Sequence, residues 1–336
     1  MPEIPFSVVG ATADSTDEPH DLALRPDSFN SYVGQPALKA NLEIAIRSAK
    51  TRKTVLDHVL LYGPPGLGKT SMAHLIAREM GGALRIASGP AISKAGDLAA
   101  ILTSLQDGDI LFIDEIHRLQ RNVEETLYAA MEDRVLDLML GKGPSARSYR
   151  MELQPFTLVG ATTRAGSLSQ PLRERFGHIH RLEYYEPEEL AHLLTRSSRL
   201  LELKIEPEAV AYIAERSRRT PRVANRLLRR VRDVATISNQ KCVTPALAHT
   251  ALDGLGIDAY GLDPIDRQLL ESMQFQFRGG PVGLETLAAA TGEDAQTIED
   301  VLEPYLLRIN FLERTPRGRI ITPAARLHFG WSESSS

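Results

Sequence analysis

One cysteine (Cys242), one tryptophan and an aromatic share of 6% are unusually little for 336 residues. A lone cysteine allows no internal disulfide and no cysteine-based zinc site, which suits a reducing compartment. No apolar run approaches the roughly 20 residues that span a bilayer. The first residues also lack a basic-then-apolar leader pattern. A cytoplasmic setting without a membrane partner is therefore expected. Nor is there an excess of positive charge: 39 Lys and Arg against 43 Asp and Glu leave a net charge of −4. Any nucleic-acid surface must then be local. Hydrophobic residues at 43% and charged ones at 24% are ordinary for a globular chain, with room for two or three domains.

What is present begins with Gly63-Pro-Pro-Gly-Leu-Gly-Lys-Thr70, a G-x-x-x-x-G-K-T phosphate-binding loop. The run His58–Tyr62 before it reads as a buried strand and Ser71–Met80 after it as a helix. Gly63, Gly66 and Gly68 let backbone N–H groups turn inward around a β-phosphate at a helix N-terminus. Lys69 would reach the β- and γ-phosphates, and the hydroxyl of Thr70, with Ser71 beside it, would face Mg2+. The chain is expected to bind ATP with Mg2+.

Residues 1–20 are rich in Ser, Thr, Asp and Glu and read as a mobile tail, as do residues 331–336. Over residues 21–185 short apolar runs alternate with helical stretches. The expected strands are Val59–Tyr62, Leu84–Ala87, Asp109–Ile113, Thr157–Ala161 and His178–Leu182. That alternation predicts an α/β core, a parallel sheet with helices on both faces. Residues 186–257 read as an all-α domain, with Pro187, Pro207, Pro221 and Pro245 at helix starts. Residues 258–330 read as short helices followed by a β segment split at Thr315-Pro-Arg-Gly318.

In Asp109-Ile-Leu-Phe-Ile-Asp-Glu115 two carboxylates end an apolar strand, where parallel sheets bind ligands. Asp114 would hold the Mg2+ shell and Glu115 would act as general base toward water. Three further segments resemble the AAA+ ATPases. Thr157–Arg164 resembles the sensor 1 strand, with Thr162 as the polar tip toward water and γ-phosphate and Thr163 as the alternative. Pro171–Gly177 resembles the arginine-finger segment, with Arg175 or Arg173 reaching a neighbouring subunit. Arg219–Arg226 resembles sensor 2. There Arg222 sits in a first helical turn, against the dipole preference, which a phosphate opposite would relieve.

Leu24–Gln35, Leu111–Leu119 and Gly160–Gly166 together resemble the RuvB family of bacterial Holliday-junction branch-migration motors, over about residues 21–330. The resemblance implies an AAA+ P-loop core, an all-α lid domain and a C-terminal winged-helix domain. It implies that Leu24 and Arg25 line the adenine and that Tyr185 closes the pocket. Glu132, Asp133 and Arg134 would lie near a neighbour's nucleotide. The segment 135–153 reads as a β-hairpin through its Gly and Pro punctuation. By resemblance its apolar Leu138, Met139 and Leu140 dock the junction-recognition partner, RuvA. Arg314, Arg317 and Arg319 flank the wing turn and suit backbone phosphate contacts. The preceding helix, Glu293–Val301, is too acidic to read a DNA groove. The implied activity is DNA-dependent ATP hydrolysis by a hexameric ring on duplex and four-way junction DNA, alongside a junction-cleaving nuclease. A helicase loader or clamp loader is the nearest alternative, and a clamp loader would end in a helical collar. A non-hydrolysing ATP switch would need neither Glu115 nor Arg175.

Overall fold

The computed structural model describes residues 23–140 and 147–332, with backbone alone at 138–140 and 147–149. The tail expected at 1–20, the hairpin tip and most of 331–336 lie outside the described residues. Two compact units emerge, one of residues 25–184 and one of residues 185 onward together with Leu24.

In the first unit five strands form one parallel sheet: Val59–Tyr62 (β1), Leu84–Ser88 (β2), Ile110–Asp114 (β3), Thr157–Thr162 (β6) and His178–Arg181 (β7). Their order is β2-β3-β6-β1-β7. The central strands are mostly apolar and are buried except at the C-terminal ends of β1 and β3, as strands covered on both faces must be. The edge strands are not: Ile86 on β2 is 56% exposed and Ile179 on β7 47%. Helices Ala95–Thr103 and Arg121–Asp133 share a hydrophobic cluster with β3, β6 and Phe156. Helix Lys69–Met80 packs on β2, β3 and β6, and Pro36–Arg52 packs on that helix.

Strand ends shift from the sequence reading by about one residue, and one shift has a clear cause. Asp109, expected to open a strand, is instead a buried clip before it. Its Oδ1 accepts from the Ala83 N–H at 3.1 Å and its Oδ2 from the Gln106 N–H at 3.0 Å. The strand consequently runs one residue further and includes Asp114. Between helix Arg121–Asp133 and β6, Val135–Leu140 (β4) pairs antiparallel with Arg147–Glu152 (β5), in register from Val135 opposite Glu152 to Leu140 opposite Arg147.

The second unit begins with four helices, Pro187–Leu200, Pro207–Glu215, Pro221–Ile237 and Pro245–Gly254. Each has proline in its first turn, where the missing N–H costs nothing. Thr220 and Thr244 add side-chain caps to the last two. Ala224, Leu227, Leu228, Val231 and Ala235 put one face of the third helix into the interior. Helices Pro264–Glu271, Leu284–Thr291 and Glu303–Arg308 then enclose a separate core with Phe311, Ile321 and Ala325. Wide π-type turns at Ser272–Gln276 and Ile298–Leu302 extend two of these helical stretches. Leu312–Thr315 (β8) pairs antiparallel with Gly318–Ile321 (β9) as the wing. Among the described residues no helix is long and apolar enough to cross a membrane.

His58, just before β1, ties the sheet to a helix. Its Nδ1 accepts from the Leu158 N–H at 2.9 Å, and its Nε2 donates to the Met131 carbonyl at 3.3 Å. This pairing requires the neutral ring, and burial lowers its pKa from 6.5. The unfolded chain takes up a proton near its ordinary pKa while the fold resists. Stability is therefore complete above about pH 6.5 and falls as pH drops below it. His58→Gln should flatten the decline in melting temperature between about pH 7 and pH 5. An equally steep decline in the variant would rule this out.

Candidate active site

The pairing of β3, β6 and β1 brings three strand ends side by side. Tyr62 lies in register with Thr162, and the Gly63 N–H donates to the Thr162 carbonyl at 3.1 Å. The phosphate loop, Thr162-Thr163 and Asp114-Glu115 consequently emerge together. Gly63, Gly66 and Gly68 adopt φ of 145°, 79° and 96°, the left-handed side that glycine tolerates. A Cβ on Gly63 would also meet the Leu182 carbonyl oxygen at 2.7 Å. Leu67 is fully buried and pins the loop from beneath. Lys69, itself buried, donates through Nζ to the carbonyls of Gly63 at 2.8 Å and Pro64 at 2.9 Å.

The donor set suits a triphosphate. Helix Lys69–Met80 starts from Gly68 with no side-chain cap and no acid in its first turn. Its first N–H groups, the positive dipole end and Lys69 converge on one concavity. Thr70 follows Lys69 in that turn, and Asp114 ends the next strand but one. A hydroxyl and a carboxylate are the oxygen donors that Mg2+ accepts.

Beside this loop Glu115 sits in a left-handed conformation, φ 49°. Its Oε2 is 3.2 Å from His117 Nδ1 and accepts from Thr163 Oγ1 at 3.4 Å. Thr162 is fully buried, and its hydroxyl lies 2.9 Å from the same His117 nitrogen while accepting from the Arg164 N–H at 2.9 Å. Of the two candidate sensor residues, the carboxylate therefore touches Thr163, whereas Thr162 braces the histidine.

Three family models together cover nearly the whole chain. The model of the Holliday junction DNA helicase RuvB P-loop domain matches residues 24–182, that of the RuvB AAA lid domain 185–258, and that of the RuvB C-terminal winged helix domain 259–330. The solved Thermotoga maritima RuvB Holliday junction branch migration motor is 48% identical, covering 92% of this chain and 99% of that one at a TM-score of 0.84. A lysine-to-arginine mutant of that protein is 48% identical with TM-score 0.85, and an alanine-to-serine mutant 49% with 0.85, over the same shares of both chains. The chain belongs to the RuvB family.

The remaining candidates fall in separate places. Arg175 ends the short helix Gln170–Glu174 and pairs with Glu132, while its buried Nε has no partner. Arg173 is exposed on that same helix. Asp133 closes its helix, and Arg134 follows in a left-handed conformation whose carbonyl accepts from the Leu153 N–H at 2.8 Å. Arg25 contacts His74 on the phosphate-loop helix; burial, then the arginine, lowers that histidine's pKa. Leu24, Tyr185 and Arg222 belong to the second unit. The Leu24 carbonyl accepts from Arg196 at 2.9 Å, the Tyr185 N–H donates to the Arg219 carbonyl at 3.0 Å, and Arg222 is exposed. The side chains of Leu138, Met139 and Leu140 lie outside the described residues.

On the wing, Arg314 Nε donates to Glu303 at 2.8 Å and Arg319 Nε to the other oxygen of the same carboxylate at 2.5 Å. Glu303 is fully buried, Arg319 is 15% exposed and Arg314 45%. Arg314 and Arg317 thus face solvent while Arg319 turns inward. The preceding acidic stretch contributes Glu299, 3.9 Å from Arg314, and Glu303 just beyond it supplies the counter-charge beneath the wing.

Glu303, His117 and His74 were missed in the sequence. His117 alone carried a local signal, two positions after Glu115. The contacts separate Thr162 from Thr163 by experiment. Thr163→Val should slow ATP turnover roughly tenfold or more at unchanged nucleotide affinity. Thr162→Val should instead lower stability by about 1–3 kcal/mol, because it strands a buried N–H. Wild-type turnover in Thr163→Val would return the sensor role to Thr162.

Proposed function

We propose that this chain is the ATP-hydrolysing subunit of a hexameric ring that encircles duplex DNA and drives branch migration of four-way junctions. Carrying this reading is the convergence of the phosphate loop, Asp114-Glu115 and Thr163 at adjacent strand ends, within a chain of the RuvB family. Bound ATP supplies the phosphoanhydride, and Mg2+ neutralises charge on its β- and γ-phosphates. Lys69 and the loop N–H groups bind and orient that triphosphate, while Thr70 and Asp114, with Ser71 beside them, hold the ion. Glu115 takes the proton of the attacking water, and Thr163 orders the carboxylate that receives it. Leu24, Arg25 and Tyr185 surround the base, and Arg222 senses the nucleotide from the lid.

Arg175 acts across a subunit boundary, and Glu132, Asp133 and Arg134 lie near the neighbour's nucleotide. Its resting partner Glu132 is half exposed, and such pairs contribute only about 0–1 kcal/mol. A phosphate bearing greater charge can displace it. An arginine so delivered accelerates phosphoryl transfer roughly 10³- to 10⁵-fold, which makes ring assembly a condition of turnover. Arg314 and Arg317 grip the DNA backbone, with Arg319 behind them, so binding is independent of sequence. The β4–β5 hairpin docks a RuvA-type junction-recognition protein through Leu138, Met139 and Leu140. A junction-cleaving nuclease shares the complex, in the cytoplasm.

A synthetic four-way junction with ATP, Mg2+ and the recognition partner tests the reading. Wild type should dissociate the junction, and Glu115→Gln and Arg175→Ala should each lose at least about 10²-fold in turnover. Junction dissociation by Glu115→Gln at the wild-type rate would overturn the catalytic assignment. Leu138→Asp should weaken partner binding by at least about tenfold, some 1.4 kcal/mol. Unchanged affinity would remove the hairpin from the docking role.

A further inference from the structure

The segment 216–222 of the second unit makes contacts in three directions. At one end the Arg219 carbonyl accepts from the Tyr185 N–H, and its side chain pairs with Glu186, where the lid begins. At the other, Thr220 caps the helix that carries Arg222. Between them Arg218 points the opposite way, out of the lid and into the winged helix. Its Nε donates to the Gly261 carbonyl at 2.7 Å, and its two terminal nitrogens meet Asp266, one at 3.4 Å and one closer. One of those nitrogens also lies 3.9 Å from Asp263. The guanidinium carbon sits 5.2 Å from the centre of the Tyr305 ring, whose hydroxyl donates to the Tyr260 carbonyl at 2.6 Å.

These partners are themselves fixed. Asp263 caps helix Pro264–Glu271 by accepting from the N–H groups of Ile265 and Asp266, each at 3.0 Å. Asp266 returns the contact by accepting from the Asp263 N–H at 3.0 Å. Arg218 is 3% exposed and both carboxylates are fully buried. Gly261 leaves no slack, since a Cβ there would meet the Arg216 carbonyl oxygen at 2.2 Å. Arg218 and Arg219 both hold left-handed conformations, φ 50° and 60°. Two adjacent non-glycine residues in that region cost stability, and only a surrounding contact set that over-determines them keeps them there.

We propose that Arg218 welds the helical lid to the winged helix, so that a nucleotide-driven movement of the Arg222 helix carries the DNA-contacting wing with it as one body. Arg218 is a positioning residue: it touches neither nucleotide nor DNA. The mechanical half of this statement rests on the motor reading above, whereas the weld itself does not. A buried, hydrogen-bonded charge pair suits a coupling element because it has one geometry and tolerates no partial separation.

Removing Arg218 alone strands two buried carboxylates, so the informative variant is Arg218→Met with Asp266→Leu, which replaces the charges by apolar volume. In a Cys242→Ala background, spin labels at Ile237→Cys and Leu327→Cys, positions 86% and 85% exposed, report the lid–wing distance in the full chain. Wild type should show one narrow distance, unchanged by a non-hydrolysable ATP analogue, and the double variant a broad distribution. The double variant should retain DNA-stimulated ATPase within about twofold and lose at least about tenfold in base pairs migrated per ATP. A wild-type distance that moves with nucleotide, or a double variant with wild-type distance and coupling, would overturn the weld. If wild type itself migrates no junction, the motor reading fails and the distance measurement alone decides the weld.

Discussion

The parallel insertion of β6 between β3 and β1 is the constraint on which the chemistry depends. Each strand carries one part of the site at its end: the phosphate loop after β1, the carboxylates after β3, the threonines after β6. None of these parts is near another in sequence, and backbone pairing alone sets their spacing. Side chains alternate along a strand, so a slip of one residue would turn Thr162 and Thr163 to opposite roles. The pairing is secured by apolar burial rather than by the polar residues it aligns: Ile110 to Ile113 and Leu158, Val159 and Ala161 are fully buried. Gly160 permits the closest layer, because a Cβ there would press on Phe176 and Ile116 at about 3.0 and 3.1 Å. Phe176 follows Arg175 directly. The packing that fixes β6 thereby also anchors the segment that carries Arg175.

What could be read from the residues follows the same division. The phosphate loop was legible because its chemistry is local: glycines, a lysine and a threonine within eight positions, between an apolar strand and a helix. The lid helices were legible because prolines mark their first turns. Partnerships between distant residues were not. Glu303 lies just past the acidic stretch Glu293–Val301 and carries no local signal, yet it neutralises two arginines 11 and 16 positions onward. Arg218 reads as part of a basic helical face, and its partner Asp266 lies 48 positions away. No periodicity encodes such contacts. Asp109 failed for a related reason: its neighbours promise a strand, but the N–H groups of Ala83, 26 positions back, and Gln106, three back, claim its two carboxylate oxygens.

Burial sorts the arginines into two mechanical kinds, and the magnitudes decide which can work as phosphate ligands. Arg175 with Glu132 and Arg219 with Glu186 are pairs in which both partners keep substantial solvent contact. Such pairs are nearly neutral in stability, about 0–1 kcal/mol, so exchange of carboxylate for phosphate meets little resistance. The carboxylate meanwhile spares the arginine an unpaired resting state and keeps its planar fork oriented. Arg218 is the opposite case. Breaking a buried pair by removing one partner costs on the order of 3–5 kcal/mol, and no diffusing anion reaches it. Arg314 and Arg319 show both behaviours on one carboxylate: Arg319, nearly enclosed, holds Glu303, and Arg314 leans on it while still facing solvent. A DNA phosphate can therefore recruit Arg314 without leaving Glu303 unpaired, because Arg319 remains. In the proposed motor, one buried acid with two arginines would give a grip that opens and closes without unfolding the wing.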